Sequence, residues 1–314
     1  MSLDLLCIGL TTLDVVARPI DRLPEQEQTI LIDGIEIAPA GTAAGMALVA
    51  AALGVQTGLS GAVGDDRKGR FVRTVLEEVG VRTDLVETVV GAQTSTTILA
   101  VDSEGRRPAF HALGASFQHR LTPATEAAAK AARYVHWAGI GSRHLDRGPG
   151  AELLATAKAG GAVVTCDLIS PGRGALDELK RLLPHVDYFL PSAVEAQTLS
   201  GAEDLADAAE FFRGLGARAC LIKNGARGSF LSFGDRELTL PAHAITPVDT
   251  TSCGDSYCAG FVAALLRGFE PVEAARFATA TAALVAQGLG TLGKLESFDA
   301  TLAAMRATPI HEVA

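Results

Sequence analysis

Asp249-Thr250-Thr251-Ser252-Cys253-Gly254-Asp255 runs into Ser256-Tyr257-Cys258-Ala259-Gly260-Phe261-Val262-Ala263-Ala264-Leu265-Leu266, and this junction decides the fold. The small and apolar residues that follow Asp255 predict a buried helix over 255–267, with a β-like segment ending at Pro247 and Val248 before it. A helix start leaves backbone N–H groups unpaired and carries partial positive charge, so it can hold a phosphoryl group as negative charge builds up. Ser252, Cys253 and Gly254 are small enough for backbone to approach such a group. Asp255 would stand beside it, placed to accept a proton from an attacking hydroxyl. Ser and Asp also cap helices routinely, so the junction alone leaves both readings open.

Outward from this junction the chain alternates short apolar runs with longer amphipathic or Ala-rich segments. Leu5 to Ile8, Val163 to Cys166, Tyr188 to Leu190 and Ala219 to Ile222 read as strands buried on both faces. Helices are predicted over 42–53, 68–79, 122–132, 150–159, 175–183, 203–214, 255–267 and 272–286. The alternation predicts an α/β fold, a mostly parallel central sheet with helices on both faces. Two stretches break the rhythm: residues 28–38, alternating around Ile30, Ile32, Ile35 and Ile37, and residues 95–113, a hairpin around Ser103-Glu104-Gly105. Lacking an intervening helix, they are expected to form either a small β-sheet lid or an ordinary antiparallel edge.

The 314 residues suffice for one large α/β domain, and we expect a single domain over 1–314. Apolar stretches are interrupted well before the roughly 18 residues of a membrane helix, and Met1-Ser2-Leu3-Asp4 lacks the basic start of a secretory signal. A soluble, cytoplasmic protein without membrane partners is therefore expected. The five cysteines, Cys7, Cys166, Cys220, Cys253 and Cys258, show no C-x-x-C pair and read as reduced thiols. A formal charge of −9 argues against a nucleic-acid partner, whose phosphates demand clustered Lys and Arg.

Further segments fall in an informative order. Ala40-Gly41-Thr42-Ala43-Ala44-Gly45-Met46-Ala47 comes early, then Gly61-Ala62-Val63-Gly64-Asp65-Asp66-Arg67-Lys68-Gly69, Pro191-Ser192-Ala193-Val194-Glu195 and Lys223-Asn224-Gly225-Ala226-Arg227-Gly228. With 249–255 they resemble G-G-x-x-x-N-x-A, G-x-V-G-x-D-x-x-G, N-x-x-E, G-x-x-G and D-T-x-G-A-G-D of the ribokinase-like PfkB family of carbohydrate and nucleoside kinases. The resemblance runs from Leu5 to about Gln287. It implies a ribokinase-like fold with a small β-sheet lid, ATP and Mg²⁺ as cofactors, and a small-molecule sugar or related polyol as substrate. Asp255 becomes the implied general base, and the backbone of Ser252, Cys253 and Gly254 the anion hole. Asp14, with Thr12 near it and the segment holding Gly41, Thr42 and Gly45, is implied to bind acceptor hydroxyls, since a carboxylate can accept two hydrogen bonds at once. Glu195 is implied to organise Mg²⁺ through water, and Lys223, Gly225 and Gly228 to lie on the nucleotide side. Asp249 and Thr251 are the implied site for K⁺, and the lid offers a surface for a homodimer.

Several positions depart from the family pattern. Ser252-Cys253 stand for Gly-Ala, Ala40 for Gly, and Gly45 and Ser192 for Asn. The turn at Ser252 is expected to form provided it needs no positive φ. Cys253, at a helix start, is expected to have a lowered thiol pKa, or else to pack as a small residue. Gly288-Leu289-Gly290-Thr291-Leu292-Gly293-Lys294 matches a phosphate-loop spacing, but follows a helix and continues with Leu295, so it reads as a turn, expected near adenine. Arg106, Arg107 and His111 of the lid read as edge protection or as a site for an anionic substrate group. The alternatives to a sugar kinase are a nucleoside kinase and a non-catalytic sugar-binding or regulatory protein that retains the fold.

Overall fold

The structure is a computed structural model describing residues 3–142 and 144–311, so Met1 and Ser2 of the N-terminal stretch lie outside the described residues. In chain order the strands are β1 (Leu5–Gly9), β2 (Thr12–Arg18), β3 (Gly34–Ala40), β4 (Thr57–Gly64), β5 (Arg82–Val89), β6 (Thr96–Ala100), β7 (Ala109–Ala112), β8 (Tyr134–Ala138), β9 (Val163–Cys166), β10 (Tyr188–Phe189), β11 (Ala219–Lys223), β12 (Ser229–Phe233) and β13 (Arg236–Leu240). The helices are α1 (Thr42–Ala52), α2 (Arg67–Glu78), α3 (Pro123–Ala131), α4 (Pro149–Ala159), α5 (Ala175–Leu182), α6 (Ala193–Ser200), α7 (Leu205–Gly214), α8 (Cys253–Leu266), α9 (Pro271–Val285) and α10 (Phe298–Ala307). The eight expected helices form; α6 and α10 were not anticipated.

Nine strands make one sheet in the order β13-β12-β11-β10-β9-β8-β1-β4-β5. All its pairings are parallel except those of β12 with β11 and β13. β1 shows why such strands read as unbroken apolar runs. Leu5 and Cys7 enter one core with Leu48 of α1, Phe261 of α8 and Phe277 of α9. Leu6 and Ile8 enter the opposite core with Leu153 of α4, Leu179 of α5 and Phe212 of α7. The strand order reverses at β1, and the carboxyl ends of such strands are where an open α/β sheet leaves a crevice for ligands.

The amino end of α1 hangs on the carboxyl end of β1, because Leu10 O accepts from Ala43 N and Ala44 N, each at 3.2 Å. Gly41 makes the approach feasible: its φ is 91°, and a Cβ there would lie 2.7 Å from Leu10 O.

The lid is a separate four-stranded sheet, β3-β2-β6-β7. The hairpin expected over 95–113 is β6 and β7, closed by Asp102, whose Oδ1 accepts from Glu104 N at 3.0 Å and Arg106 N at 2.8 Å. The other expected segment is corrected: residues 28–33 are not strand, and β3 begins at Gly34. The central strand β2 carries Thr12 and Asp14, which the sequence had placed only just beyond β1. Only Leu10 and Thr11 separate the two strands, so the boundary between sheets is invisible in the apolar pattern.

α8 crosses the first core against α9, and Gly260 sets their separation, since a Cβ there would lie 2.4 Å from Thr281 Oγ1 and 3.0 Å from Ala278 Cα. Gly260→Val is expected to cost about 1–3 kcal/mol through overpacking, measured by urea denaturation.

Candidate active site

The first turn of α8 begins at Cys253, two residues earlier than expected, with Ser252 as its cap. Ser252 has φ 56°, so the turn does require the left-handed conformation at a non-glycine residue. Ser256 holds the turn from within: its N and Oγ donate to Ser252 O at 2.8 and 2.7 Å. Asp255 therefore stands on the first turn of α8. Its carboxylate abuts α1, because a Cβ on Gly45 would lie 2.9 Å from Asp255 Oδ2. Burial pushes the Asp255 carboxyl up to about 7; Asp167 and Asp14 add to the rise, while Lys223 and Ser252 oppose it. A base poised near 7 can take a hydroxyl proton at neutral pH.

Lys223, the last residue of β11, lies beneath this turn. A Cβ on Gly254 would be 3.3 Å from its Nζ. Lys223 Nζ donates to Asp167 Oδ2 at 2.5 Å and approaches Cys258 Sγ at 3.7 Å. Burial acts to lower the Lys223 pKa, but the Asp167 charge overrides it and holds the ammonium well above its ordinary value. Asp167 was absent from the sequence reading. Its position one residue beyond the buried run Val163–Cys166, at the carboxyl end of a parallel strand, is the signal that could have found it.

A cleft of about 580 Å³ opens here. Of the expected residues, Thr42, Glu195, Lys223, Gly225, Gly228, Ser252, Cys253, Gly254 and Asp255 line it. Ala242, Ala282, Ala283 and Ala286 contribute small apolar walls able to flank a flat ring. Gly228 lets the β11–β12 turn pass under β13: its φ is 87°, and a Cβ would collide with Leu240 O. Glu195 closes a capping box on α6, with Oε2 accepting from Ser192 N at 2.8 Å and Ser192 Oγ at 2.6 Å. Its Oε1 accepts from Ser170 N at 3.2 Å. These bonds fix the carboxylate and suit it to hold a hydrated Mg²⁺ through water rather than to ligate one directly.

Thr12, Asp14, Gly41, Gly45, Asp249 and Thr251 do not line that cleft; they form its lid-side neighbourhood. Asp14 Oδ1 accepts from Thr12 Oγ1 at 3.1 Å, and the Asp14 carboxyl is close enough to those of Asp249 and Asp255 to feel both charges. Burial raises its pKa against the hydroxyls of Thr97 and Thr12. Asp249 accepts from Thr251 N at 2.8 Å, Thr251 Oγ1 at 2.6 Å and Gly290 N at 3.1 Å, leaving about one of four lone-pair directions for a cation.

The three lid residues divide. Arg106 is held by Asp102 at 2.5 Å and Glu104 at 3.2 Å, and His111 Nδ1 meets Thr97 Oγ1 at 3.1 Å. Arg107 lines the cleft, and its Nη1 donates to Thr251 Oγ1 at 3.3 Å, so it does more than protect an edge. The 288–294 turn does not line that cleft: Thr291 Oγ1 donates to Pro39 O at 2.7 Å, and Leu289 packs with Val16, Leu99 and Val101 under the lid. Of the two readings of Cys253, the structure shows the packed small residue and not the lowered thiol pKa. Burial pushes its thiol up to about 12, outweighing the Arg107 charge, and Sγ donates to Ala282 O at 3.7 Å.

The left-handed Ser252 yields a stability test. Ser252→Val, β-branched at positive φ, is expected to cost more than about 1 kcal/mol, whereas Ser252→Gly should not destabilise; chemical denaturation distinguishes them.

A family model described as "pfkB family carbohydrate kinase" matches residues 2–297. A nucleoside kinase of Methanothermobacter thermautotrophicus is 30% identical over 295 residues, covering 92% of this chain and 91% of that protein. A ribokinase of Bacillus subtilis is 28% identical over 291 residues, covering 91% and 94%. Among solved structures, a putative ribokinase II from E. coli in complex with ATP and Mg²⁺ has the same fold, with a TM-score of 0.84 at 21% identity over 98% of this chain and 99% of that one. The chain belongs to the pfkB family of carbohydrate kinases.

Proposed function

We propose that this chain transfers the terminal phosphate of ATP to a hydroxyl of a sugar or related polyol, with Asp255 as general base. The observation that carries this reading is the position of Asp255, on a helix terminus between a nucleotide-sized cleft and the Asp14 side of the lid. In this reading the amides at 252–255 and the positive end of α8 receive the phosphoryl charge, a role that asks for fixed dipoles rather than covalent chemistry. Asp14, Thr12 and the 41–45 segment hold the acceptor, while Gly225 and Gly228 let backbone pass near the nucleotide. Mg²⁺ would be held through water by Glu195 and would neutralise phosphate charge. K⁺ at Asp249 and Thr251 is an extension of the same reading. The whole chain acts as one kinase unit, in the cytoplasm, where ATP and Mg²⁺ are available.

A nucleoside acceptor is the second reading. The relative at 30% identity carries the name nucleoside kinase, and the ribose of a nucleoside offers the same kind of hydroxyl as a sugar. ADP release from a panel of sugars and nucleosides, with Mg²⁺ and with or without K⁺, separates the two. Ligand-induced thermal stabilisation without ADP release from any acceptor would instead support a non-catalytic binding protein.

The lid is further proposed to join two copies. Register places Ile37, Val15, Ile98 and Phe110 in one row across all four strands, on the face opposite Asp14. Ile37, Ile98 and Phe110 are 46%, 49% and 61% exposed, an apolar stripe that a second copy can cover by two-fold symmetry. Sedimentation should give a dimer that Ile98→Lys converts to a monomer; a wild-type monomer at micromolar concentration contradicts this.

Asp255 gives the sharpest kinetic expectation. Asp255→Asn should lower kcat by about 100-fold or more with the fold intact. In the wild type, kcat/KM for the acceptor should rise with pH through about 7. The sign for stability is opposite. Folding raises this pKa from 3.8, so its stabilising contribution is present below pH 3.8 and lost as pH rises through about 7. Asp255→Asn should therefore raise the melting temperature relative to wild type more at pH 8 than at pH 5. An unchanged turnover rate in Asp255→Asn rejects the assignment.

A further inference from the structure

The Asp167–Lys223 pair is poorly explained as a stabilising device. Asp167 follows β9 and Lys223 ends β11, so the pair bridges the carboxyl end of β10, with side chains only 3% and 12% exposed. Burying two charges is expensive, and apolar residues commonly fill such a site with equal or better stability. The placement of the ammonium makes this worse. It lies under the first turn of α8, at the positive end of a helix dipole, where a cation is repelled. Asp167 offsets part of that repulsion, and its carboxylate is itself fixed by Leu168 N, which donates to Oδ1 at 2.8 Å.

Helix terminus and ammonium share a sign that suits an anion held between them. Both Asp167 and Lys223 line the cleft, together with Ser252, Cys253, Gly254 and Asp255. An ammonium has three donors, and among the described residues only Asp167 Oδ2 and Cys258 Sγ accept from Lys223 Nζ. One donor is left for a ligand. The missing side chain of Gly254 leaves the space directly above Nζ clear. The other ionisable groups electrostatically linked to the pair are Asp255, Tyr257 and Cys258 from α8, Glu195 from α6, His136 from β8 and Cys166 from β9. None of these besides Asp167 holds the lysine by a carboxylate hydrogen bond.

We propose that Asp167 is a positioning residue that pins the Lys223 ammonium beneath the Gly254 turn, where cation and helix terminus together take the terminal phosphates of the nucleotide. The inference rests on the reading of this cleft as the nucleotide site. It assigns Asp167 a task that acts through Lys223 rather than on substrate. It also separates the phosphates from the adenosine end, because only the phosphates would meet the pair.

Three variants, Asp167→Asn, Lys223→Met and the double variant, test this by calorimetric titration with ATP·Mg²⁺ and with AMP, alongside melting temperatures. Each single change leaves one buried charge unpaired, so both singles should melt lower than wild type. The double variant should regain most of that loss yet still bind ATP about tenfold or more weakly, with AMP affinity unchanged. Wild-type ATP affinity in the double variant would show the pair to be structural only. An equal loss for ATP and AMP would show that it merely shapes the cleft, and either result overturns the proposal. Folding failure is bypassed by wild-type protein: the ¹⁵N resonance of Lys223 Nζ should move on adding ATP and stay on adding AMP, and no movement with ATP also overturns it. ADP formation by the wild type is scored separately, so a chain that binds ATP through the pair but transfers nothing contradicts the kinase reading alone.

Discussion

The structure depends on keeping one carboxylate, that of Asp255, partly out of water at the positive end of α8. Everything around it bears on its charge: the helix terminus and Lys223 favour ionisation, while burial, Asp167 and Asp14 oppose it. The balance leaves the group poised rather than permanently charged. Such a balance requires a rigid surround, because a shift of an ångström or so in any of these charges would move it.

The α/β architecture supplies that rigidity. β1, β9 and β11 deliver Leu10, Asp167 and Lys223 from one edge of the sheet, and α1 and α8 meet above them at Gly45 and Asp255. Glycine recurs where backbones or charges must come close: Gly41 against Leu10, Gly260 against α9, Gly254 above Lys223. The lid belongs to a separate sheet, yet its central strand carries Asp14 and its hairpin carries Arg107 to Thr251. One small sheet thus reaches both Asp14 and the 249–255 segment.

Much of this was legible because the relevant signals are local. Strands buried on both faces give unbroken apolar runs, and small residues after Asp255 mark a buried helix. The family resemblance then ordered Asp14, Gly41, Glu195, Gly225, Gly228 and Asp255 along the chain, and the structure gathers these residues about one cleft and its lid side. What escaped depends on contacts between distant segments. Asp167 is marked in sequence only by the buried run before it, and its partner lies 56 positions away. At Cys253 the helix terminus is visible in sequence while the burial that decides between a reactive and a packed thiol is not. Ser252 takes a glycine-like conformation because Ser256 holds its carbonyl twice. The β1–β2 boundary and the fate of the 288–294 turn required the lid to be seen in place.

The central claim is that this surround sets the proton affinity of Asp255, and its most direct test is a carboxyl titration. In ¹³C-aspartate-labelled, ligand-free protein, the resonance missing from Asp255→Asn identifies the group, and NMR across the pH range gives its midpoint. The account predicts a midpoint near 7. A midpoint in the ordinary aspartate range, about 4, would contradict it.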